Sequence, residues 1–115
     1  MQLRIALVGA VVAALVVPSA AAAALYGRVA APRVITLKRA DGTNVTHLSS
    51  GTKTFVIRDR SSRHNFHLKG PGVNRETGVA FVGRRKWSGI TLTNGTYTFL
   101  CDVHPGTMTR TFTVG

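Results

Sequence analysis

The sequence predicts an all-β protein, an antiparallel sandwich or barrel of about seven short strands. Short runs rich in β-branched and aromatic residues recur along the chain. Clusters of Gly, Pro, Asn, Asp and Ser separate these runs, as turns require. No segment after residue 25 keeps a helical period. Hydrophobic residues make up 44% of the 115 residues, which is enough for a packed core.

Residues 1–24 are predicted to be a secretory signal peptide. Arg4 precedes an apolar run over residues 5–17, and small residues follow it up to Ala24. The cleavage bond stays open, because small residues permit cleavage after Ala21, Ala22, Ala23 or Ala24. An uncleaved membrane anchor is the alternative, since residues 5–25 approach the roughly 20 residues of a membrane span.

The remaining chain divides into an N-terminal tail, residues 25–33, and one β domain, residues 34–115. We expect an exported protein, periplasmic or extracellular. Its strands are predicted at residues 34–37, 54–58, 65–68, 79–82, 87–92, 97–101 and 109–114. Residues 48–52 read as a loop, Asn94-Gly95 as a hairpin turn, and Ser88-Gly89 as a bulge that resets the strand register.

Alternation along three strands predicts three core-facing rows of side chains. The rows are Tyr97, Phe99 and Cys101; His64, Phe66 and Leu68; and Met108, Phe112 and Val114. A side chain able to bind a metal stands at one end of each row, namely Cys101, His64 or Met108. His67 has the opposite parity to His64 and is predicted to be an exposed or partner-facing residue, not a ligand.

The residues from Cys101 to Met108 carry the chemistry. They place a thiolate, an imidazole (His104) and a thioether within eight residues, between two strands. His64 adds a second imidazole from far upstream. Two His, one Cys and a weak axial Met are the ligand set of blue-copper electron-transfer sites. A single Cys excludes an internal disulfide framework and any multi-cysteine zinc or iron–sulfur site.

The sequence resembles the cupredoxins, such as plastocyanin, amicyanin and azurin, from residue 34 to residue 114. The similarity is firmest over residues 94–104 and at His64-Asn65-Phe66. The Cys-to-His spacing matches plastocyanin and amicyanin. Three residues separate His104 from Met108, one more than in amicyanin and one fewer than in plastocyanin. Leu100 stands where plastocyanin carries an aromatic side chain used in one partner route.

The resemblance implies a Greek-key β-sandwich of the cupredoxin type with one type 1 copper ion. The implied ligands are His64, Cys101, His104 and Met108. Asn65 would brace the ligand loop from outside the ligand set, and His104 with Pro105 would form the electron port. The implied function is single-electron transfer between partner proteins, which makes the protein a carrier and not an enzyme.

The charge is strongly one-sided. There are 15 Lys and Arg against 4 Asp and Glu; removing residues 1–24 takes away Arg4 and leaves 14 − 4 = +10. Export argues against nucleic acid, so we expect redox partners with acidic surfaces, or an anionic membrane or cell-wall surface. The arginines at 58, 60 and 63 and the basic run 84–86 are candidates for steering such partners, with ordinary solvated charge as the alternative. We expect a monomer.

Three other functions would use some of the same residues. A copper carrier or store would use the same ligands, and a metal-free adhesion or polymer-binding sandwich would use only the basic surface. A Cys101–His104 catalytic pair is disfavoured, because a thiol in an apolar row is a poor nucleophile. Zinc fits imidazole and thiolate but leaves Met108 without a purpose.

Overall fold

The structure, a computed structural model, describes residues 23–115. In that part of the chain every regular element is a strand. The strands are β1 (Ala24–Ala30), β2 (Val34–Arg39), β3 (His47–Leu48), β4 (Gly51–Asp59), β5 (His67–Gly70), β6 (Val73–Glu76), β7 (Gly83–Leu92), β8 (Gly95–Leu100) and β9 (Thr109–Val114). Over residues 23–115 no helix has the length and apolar character to span a bilayer.

The strands form two sheets that pack face to face as a sandwich. One sheet has the order β2-β1-β4-β7, and the other has the order β3-β9-β8-β5-β6. The predicted all-β sandwich is confirmed. Most pairs are antiparallel, as predicted, but β1 pairs with β4 and β3 pairs with β9 in parallel, so both sheets are mixed.

The predicted core-facing rows are confirmed. All nine of their side chains are buried and belong to the core between the sheets or its polar edge. Phe66 stacks on Phe99 with ring centroids 5.5 Å apart, and Tyr97 stacks on Phe112 at 5.3 Å. These stacks join β8 to β9 and to the residue just before β5, so the strand that leads into Cys101 is held firmly.

The predicted N-terminal tail is wrong, because β1 occupies most of it. Leu25, Gly27 and Val29 alternate inward, and the strand lies between β2 and β4. A Cβ at Gly27 would stand 2.5 Å from Ile57 Cδ1 and 3.0 Å from Phe66 Cε2, so only glycine fits there. Residues 1–22, which hold nearly all of the predicted signal peptide, lie outside the described residues.

The predicted hairpin at Asn94-Gly95 is also wrong. β7 pairs with β4 in one sheet, whereas β8 pairs with β5 and β9 in the other, so this connection crosses the sandwich. The Tyr97 hydroxyl accepts a hydrogen bond from Thr93 N–H (3.0 Å) and donates one to Thr93 O (2.9 Å). This arrangement resembles the tyrosine corner that fixes a crossing strand in Greek-key sandwiches.

The remaining differences are local. Residues 79–82, predicted as a strand, form a turn and irregular chain, and the short strand β6 was not predicted. Residues 48–52, predicted as a loop, contain the ends of β3 and β4. The predicted bulge is present: β7 has one extra residue opposite β4 between Trp87 and Ile90, and Gly89 has φ 69°.

Candidate metal centre

Two separate chain segments meet at one end of the sandwich. His64 lies in the connection between β4 and β5, and Cys101 directly follows β8. The loop from Cys101 to Met108 is closed by its own backbone. Cys101 N–H donates to Met108 O (2.9 Å), Met108 N–H donates to His104 O (2.8 Å), and His104 N–H donates to Cys101 O (3.1 Å). The three predicted loop residues therefore have fixed relative positions.

The structure brings His64, Cys101 and His104 together. Cys101 Sγ lies 3.6 Å from His64 Nδ1 and 3.9 Å from His104 Nδ1. The two imidazole rings face each other edge to face, with centroids 4.8 Å apart at 67°. One donor atom from each side chain thus converges on a common point.

The tautomer of His64 suits ligation through Nδ1. Its Nε2 lies 2.7 Å from the carbonyl oxygen of Pro32, which can only accept a hydrogen bond, so Nε2 carries the proton. The lone pair of the neutral ring is then on Nδ1, which faces Cys101. A backbone partner that fixes the ring and its tautomer is the usual support of a metal-binding histidine.

The spacing of the donor atoms fits a metal ion. With bonds of about 2.0 Å to nitrogen and 2.3 Å to sulfur at about 120°, sulfur and nitrogen would lie about 3.7 Å apart. The two observed separations, 3.6 and 3.9 Å, bracket that value. The thiolate and imidazole donors are those that copper prefers. The positions of these three donor atoms therefore suit a copper ion.

The three side chains differ in exposure. Cys101 and His64 are buried, whereas His104 is partly exposed at the protein surface. Desolvation, the positive charge of Arg33 and the neighbouring His64 lower the pKa of His104 below its ordinary value. A lowered pKa favours the neutral imidazole, which is the form that binds metals.

Met108 is fully buried at the end of the loop, where its backbone closes the turn onto Cys101. Pro105 and Gly106 are exposed beside His104. The structure thus brings the predicted loop residues to the same end of the sandwich as His64.

The buried Asn65 joins the two segments of the site. Its Oδ1 accepts a hydrogen bond from Asp102 N–H (2.8 Å), and its Nδ2 donates to Asp102 Oδ2 (2.7 Å). A weaker contact reaches Glu76 Oε2 at 3.4 Å. The residue after His64 is therefore bonded to the residue after Cys101.

His67 and Asp102 extend this network, which sequence reasoning missed. His67 Nδ1 lies 2.9 Å from both carboxylate oxygens of Asp102, and His67 Nε2 bonds to Asn74 Oδ1. His67 is half-buried, not exposed as expected. The sequence did carry a signal for this network. Asn65 and His67 have the same parity and so point to one side of the chain, and Asp102 directly follows the cysteine.

The surroundings of this pair shift both of its pKa values towards the charged forms. Burial opposes the charge on His67, but hydrogen bonds to Asn74 and Asp102 and the Asp102 charge raise the pKa of His67 above its ordinary value. Burial likewise opposes the charge on Asp102, but hydrogen bonds from Asn65 and His67 lower the pKa of Asp102. Nearby, burial raises the pKa of Asp59, which accepts a hydrogen bond from Ser61 N–H (2.9 Å).

Comparison with known proteins places the fold. No protein-family profile and no curated protein sequence matches the chain. Solved structures of rusticyanin do match. Reduced rusticyanin at 1.9 Å superposes with a TM-score of 0.57 and 18% identity, covering 80% of this chain and 78% of that one.

Two further rusticyanin structures agree with this result. The Ser86Asp and Met148Leu variants give a TM-score of 0.52 at 19% identity, and a structure described as a copper protein gives 0.53 at 17% identity. Each covers 80% of this chain and 76% of the other. The fold is therefore that of the cupredoxins, as the sequence indicated. Rusticyanin is thus one of the solved proteins whose structure this chain resembles.

Proposed function

We propose that this protein is an exported type 1 copper protein that carries single electrons between partner proteins. The observation that carries the proposal is the convergence of Cys101 Sγ on two imidazole nitrogens at 3.6 and 3.9 Å. His64, Cys101 and His104 would hold the copper ion, and Met108 would be a fourth, weaker ligand. Bound copper would supply a one-electron couple that this chain's side chains do not provide.

Cys101 and His104 would have different roles in electron transfer. Cys101 is buried and continues the backbone of β8, so its thiolate would give the strongest coupling between the site and the protein interior. His104 is the one member of the His64, Cys101 and His104 set that reaches the surface. With the exposed Pro105 next to it, the His104 ring forms the electron port.

Rigidity is the second requirement of an electron carrier, because movement of ligands on each transfer slows it. The loop is closed by backbone hydrogen bonds, and His64 is held by the Pro32 carbonyl. Asn65 ties both segments together through Asp102. We propose that Asn65 positions the ligand loop without touching the metal.

The partners follow from charge. A protein with so few carboxylates would meet redox partners whose surfaces are acidic. Val103, beside His104, is 51% exposed and offers apolar contact at the port. We propose transfer outside the cytoplasm, with the protein acting as a monomeric carrier and not as an enzyme.

The test is the visible spectrum of the protein loaded with Cu(II), after metal analysis. An intense thiolate-to-copper band with one copper per chain is the expected result. Cys101→Ser and His64→Gln should remove the band while the β-sheet circular dichroism stays. His47→Gln is the matched control, because His47 lies at β3 and bonds to Thr113, away from the site. An intense band that survives Cys101→Ser contradicts the proposal.

The other functions give different results. A colourless protein that holds stoichiometric Cu(I) and exchanges it readily would be a copper carrier. A protein that binds no copper in either state would favour the metal-free adhesion function. Replacement of Met108 by Gln should keep the colour but shift the reduction potential, because a weak axial ligand tunes the potential without holding the ion.

A further inference from the structure

The outer face of the four-stranded sheet carries a ladder of arginines. In the strand register, Arg28 of β1 is directly opposite Arg58 of β4, and Arg58 is directly opposite Arg84 of β7. All three are exposed, whereas the residues on either side of them in β1 and β4 point inward. Neighbouring strands lie about 4.8 Å apart, so three guanidinium groups start from backbone positions that span about 10 Å.

A second row two residues further along the strands adds more positive charge. Here Lys38 of β2, Tyr26 of β1, Val56 of β4 and Lys86 of β7 are neighbours in register. Both lysines are exposed, and Tyr26 is 43% exposed. We call the outward-pointing cations of these two rows the basic face; they are Arg28, Lys38, Arg58, Arg84 and Lys86.

None of the chain's four carboxylates lies on the basic face. Asp59 points inward and is 1% exposed, and Asp41 lies in the turn after β2. Glu76 and Asp102 belong to the end of the other sheet, where they contact Asn65. Over residues 23–115 the ion pair that forms is His67–Asp102. The positive charge of the basic face is therefore uncompensated within this part of the chain.

This arrangement costs stability. Like charges directly opposite each other on a sheet repel, and Arg58 has such a neighbour on both sides. Repulsion between neighbouring arginines that no contact within the chain offsets indicates that these residues serve a function and not folding. An external anion on the face would remove the repulsion.

We propose that the basic face docks onto an anionic phospholipid bilayer. The basic face exposes five cations on neighbouring strands of one sheet. The centre of a protein–protein interface is instead poor in charge and rich in apolar side chains. Tyr26, next to Lys38 in the same row, has the amphipathic ring that is favoured at the membrane–water boundary. These features favour headgroups over an acidic protein as the occupant.

The orientation keeps the metal centre accessible. Cys101 follows β8, which belongs to the opposite sheet, and His104 lies at the end of the sandwich. A bilayer against the outer face of the four-stranded sheet would leave the His104 ring free for a redox partner. The inference does not depend on copper, since it uses only the register and exposure of the first sheet.

The test is sedimentation of the full chain with vesicles of equal parts phosphatidylglycerol and phosphatidylcholine. One variant combines Arg28→Gln, Arg58→Gln and Arg84→Gln. The matched control has the same charge change elsewhere: Lys53→Gln, Lys69→Gln and Arg75→Gln. Each cation near an anionic membrane contributes about fivefold to affinity, so the face variant should lose about 100-fold and the control far less. Pure phosphatidylcholine vesicles correct for binding by residues 1–22.

A second measurement separates docking from a structural role. Arg58→Gln alone should raise the melting temperature of the free protein, because it removes two like-charge pairs, and should weaken vesicle binding about fivefold. Equal vesicle binding by the face variant and the control would overturn the proposal. So would binding to soluble polyglutamate that exceeds binding to the vesicles at the same charge concentration, which would indicate an acidic protein as the partner.

Discussion

The metal-centre end of the sandwich and the basic face treat charge in opposite ways. At the metal-centre end, Glu76 and Asp102 meet His67 and Asn65 in a hydrogen-bonded network. On the basic face, three arginines stand side by side with no carboxylate. The first arrangement fixes one geometry from within the chain. The second leaves positive charge that only an anion from outside the chain can neutralise.

The strongest test of this contrast removes the centre of the network. Asn65→Ala deprives Asp102 N–H of its acceptor and leaves a cavity beneath the loop. We expect the free energy of unfolding to fall by about 2–3 kcal/mol, the cost of leaving a buried polar group unpaired. Urea denaturation of the apoprotein measures it. Asn74→Ala, at the exposed end of the network, is the control, and it should lower the free energy of unfolding clearly less. Equal decreases for the two variants would show that Asn65 is not the centre of the network.

The His67–Asp102 pair should give the network a pH signature. The folded-state pKa of His67 is raised above the ordinary 6.5, and that of Asp102 is lowered below 3.8. The contribution of the pair is therefore complete between those two values. It is lost as pH rises through the folded pKa of His67 or falls through that of Asp102.

His67→Gln should thus destabilise the apoprotein by roughly 0.5–1 kcal/mol near pH 5 and much less at pH 9. Denaturation curves at the two pH values measure this. In an Asp102→Asn background the same substitution should have little pH-dependent effect. An effect of the same size at both pH values in the parent protein would show that the pair is not charged.

Arg58→Glu places the missing carboxylate between Arg28 and Arg84. Two opposing like-charge pairs become opposite-charge pairs, so the free protein should gain about 0.5–1 kcal/mol of stability. Thermal unfolding at low salt measures the gain, and added salt should shrink it. A loss of stability would mean that the arginine ladder is already compensated.

The smallest effect comes from Arg85, the neighbour of Arg84 on the same strand. Its guanidinium lies 4.0 Å from the centroid of the Phe81 ring. Arg85→Gln should therefore destabilise by about 0.5 kcal/mol. Arg84→Gln should instead stabilise slightly, because it faces Arg58. If the melting temperature moves in the same direction for both variants, Arg85 is not stabilised by Phe81 while Arg84 is destabilised by Arg58, and the comparison fails.

The sequence predicted which side chains face the core, because that depends on local alternation. It did not predict which strands pair when the pairing is between distant segments. Parity alone placed Cys101, His64 and Met108 on core-facing rows, because side-chain direction follows from position in the strand. The Asn94-Gly95 hairpin failed because that dipeptide fits any tight bend. Which strand lies beyond the bend is decided by Tyr97 and the core.

Two further gaps have the same origin. β1 was not predicted because its alternation directly follows an alanine-rich run. Its inward side chains are recognised as part of the core only from its position between β2 and β4. Asp102 was missed because nothing local marks a carboxylate that will meet Asn65 from 37 residues away. The basic clusters at residues 58–63 and 84–86 are visible in the sequence. Their alignment with Arg28, however, is a fact of register between strands.

The closure of the Cys101–Met108 loop has a practical consequence for engineering. Leu100 pairs with Thr109 at the mouth of the loop, and Cys101 N–H bonds to Met108 O just inside it. The chain enters and leaves this loop through one pair of strand ends, and Asp102 adds side-chain hydrogen bonds to Asn65 and His67. The loop is thus a cassette: segments of other lengths, with their own histidine and methionine spacing, could be exchanged there while β8 and β9 keep their register.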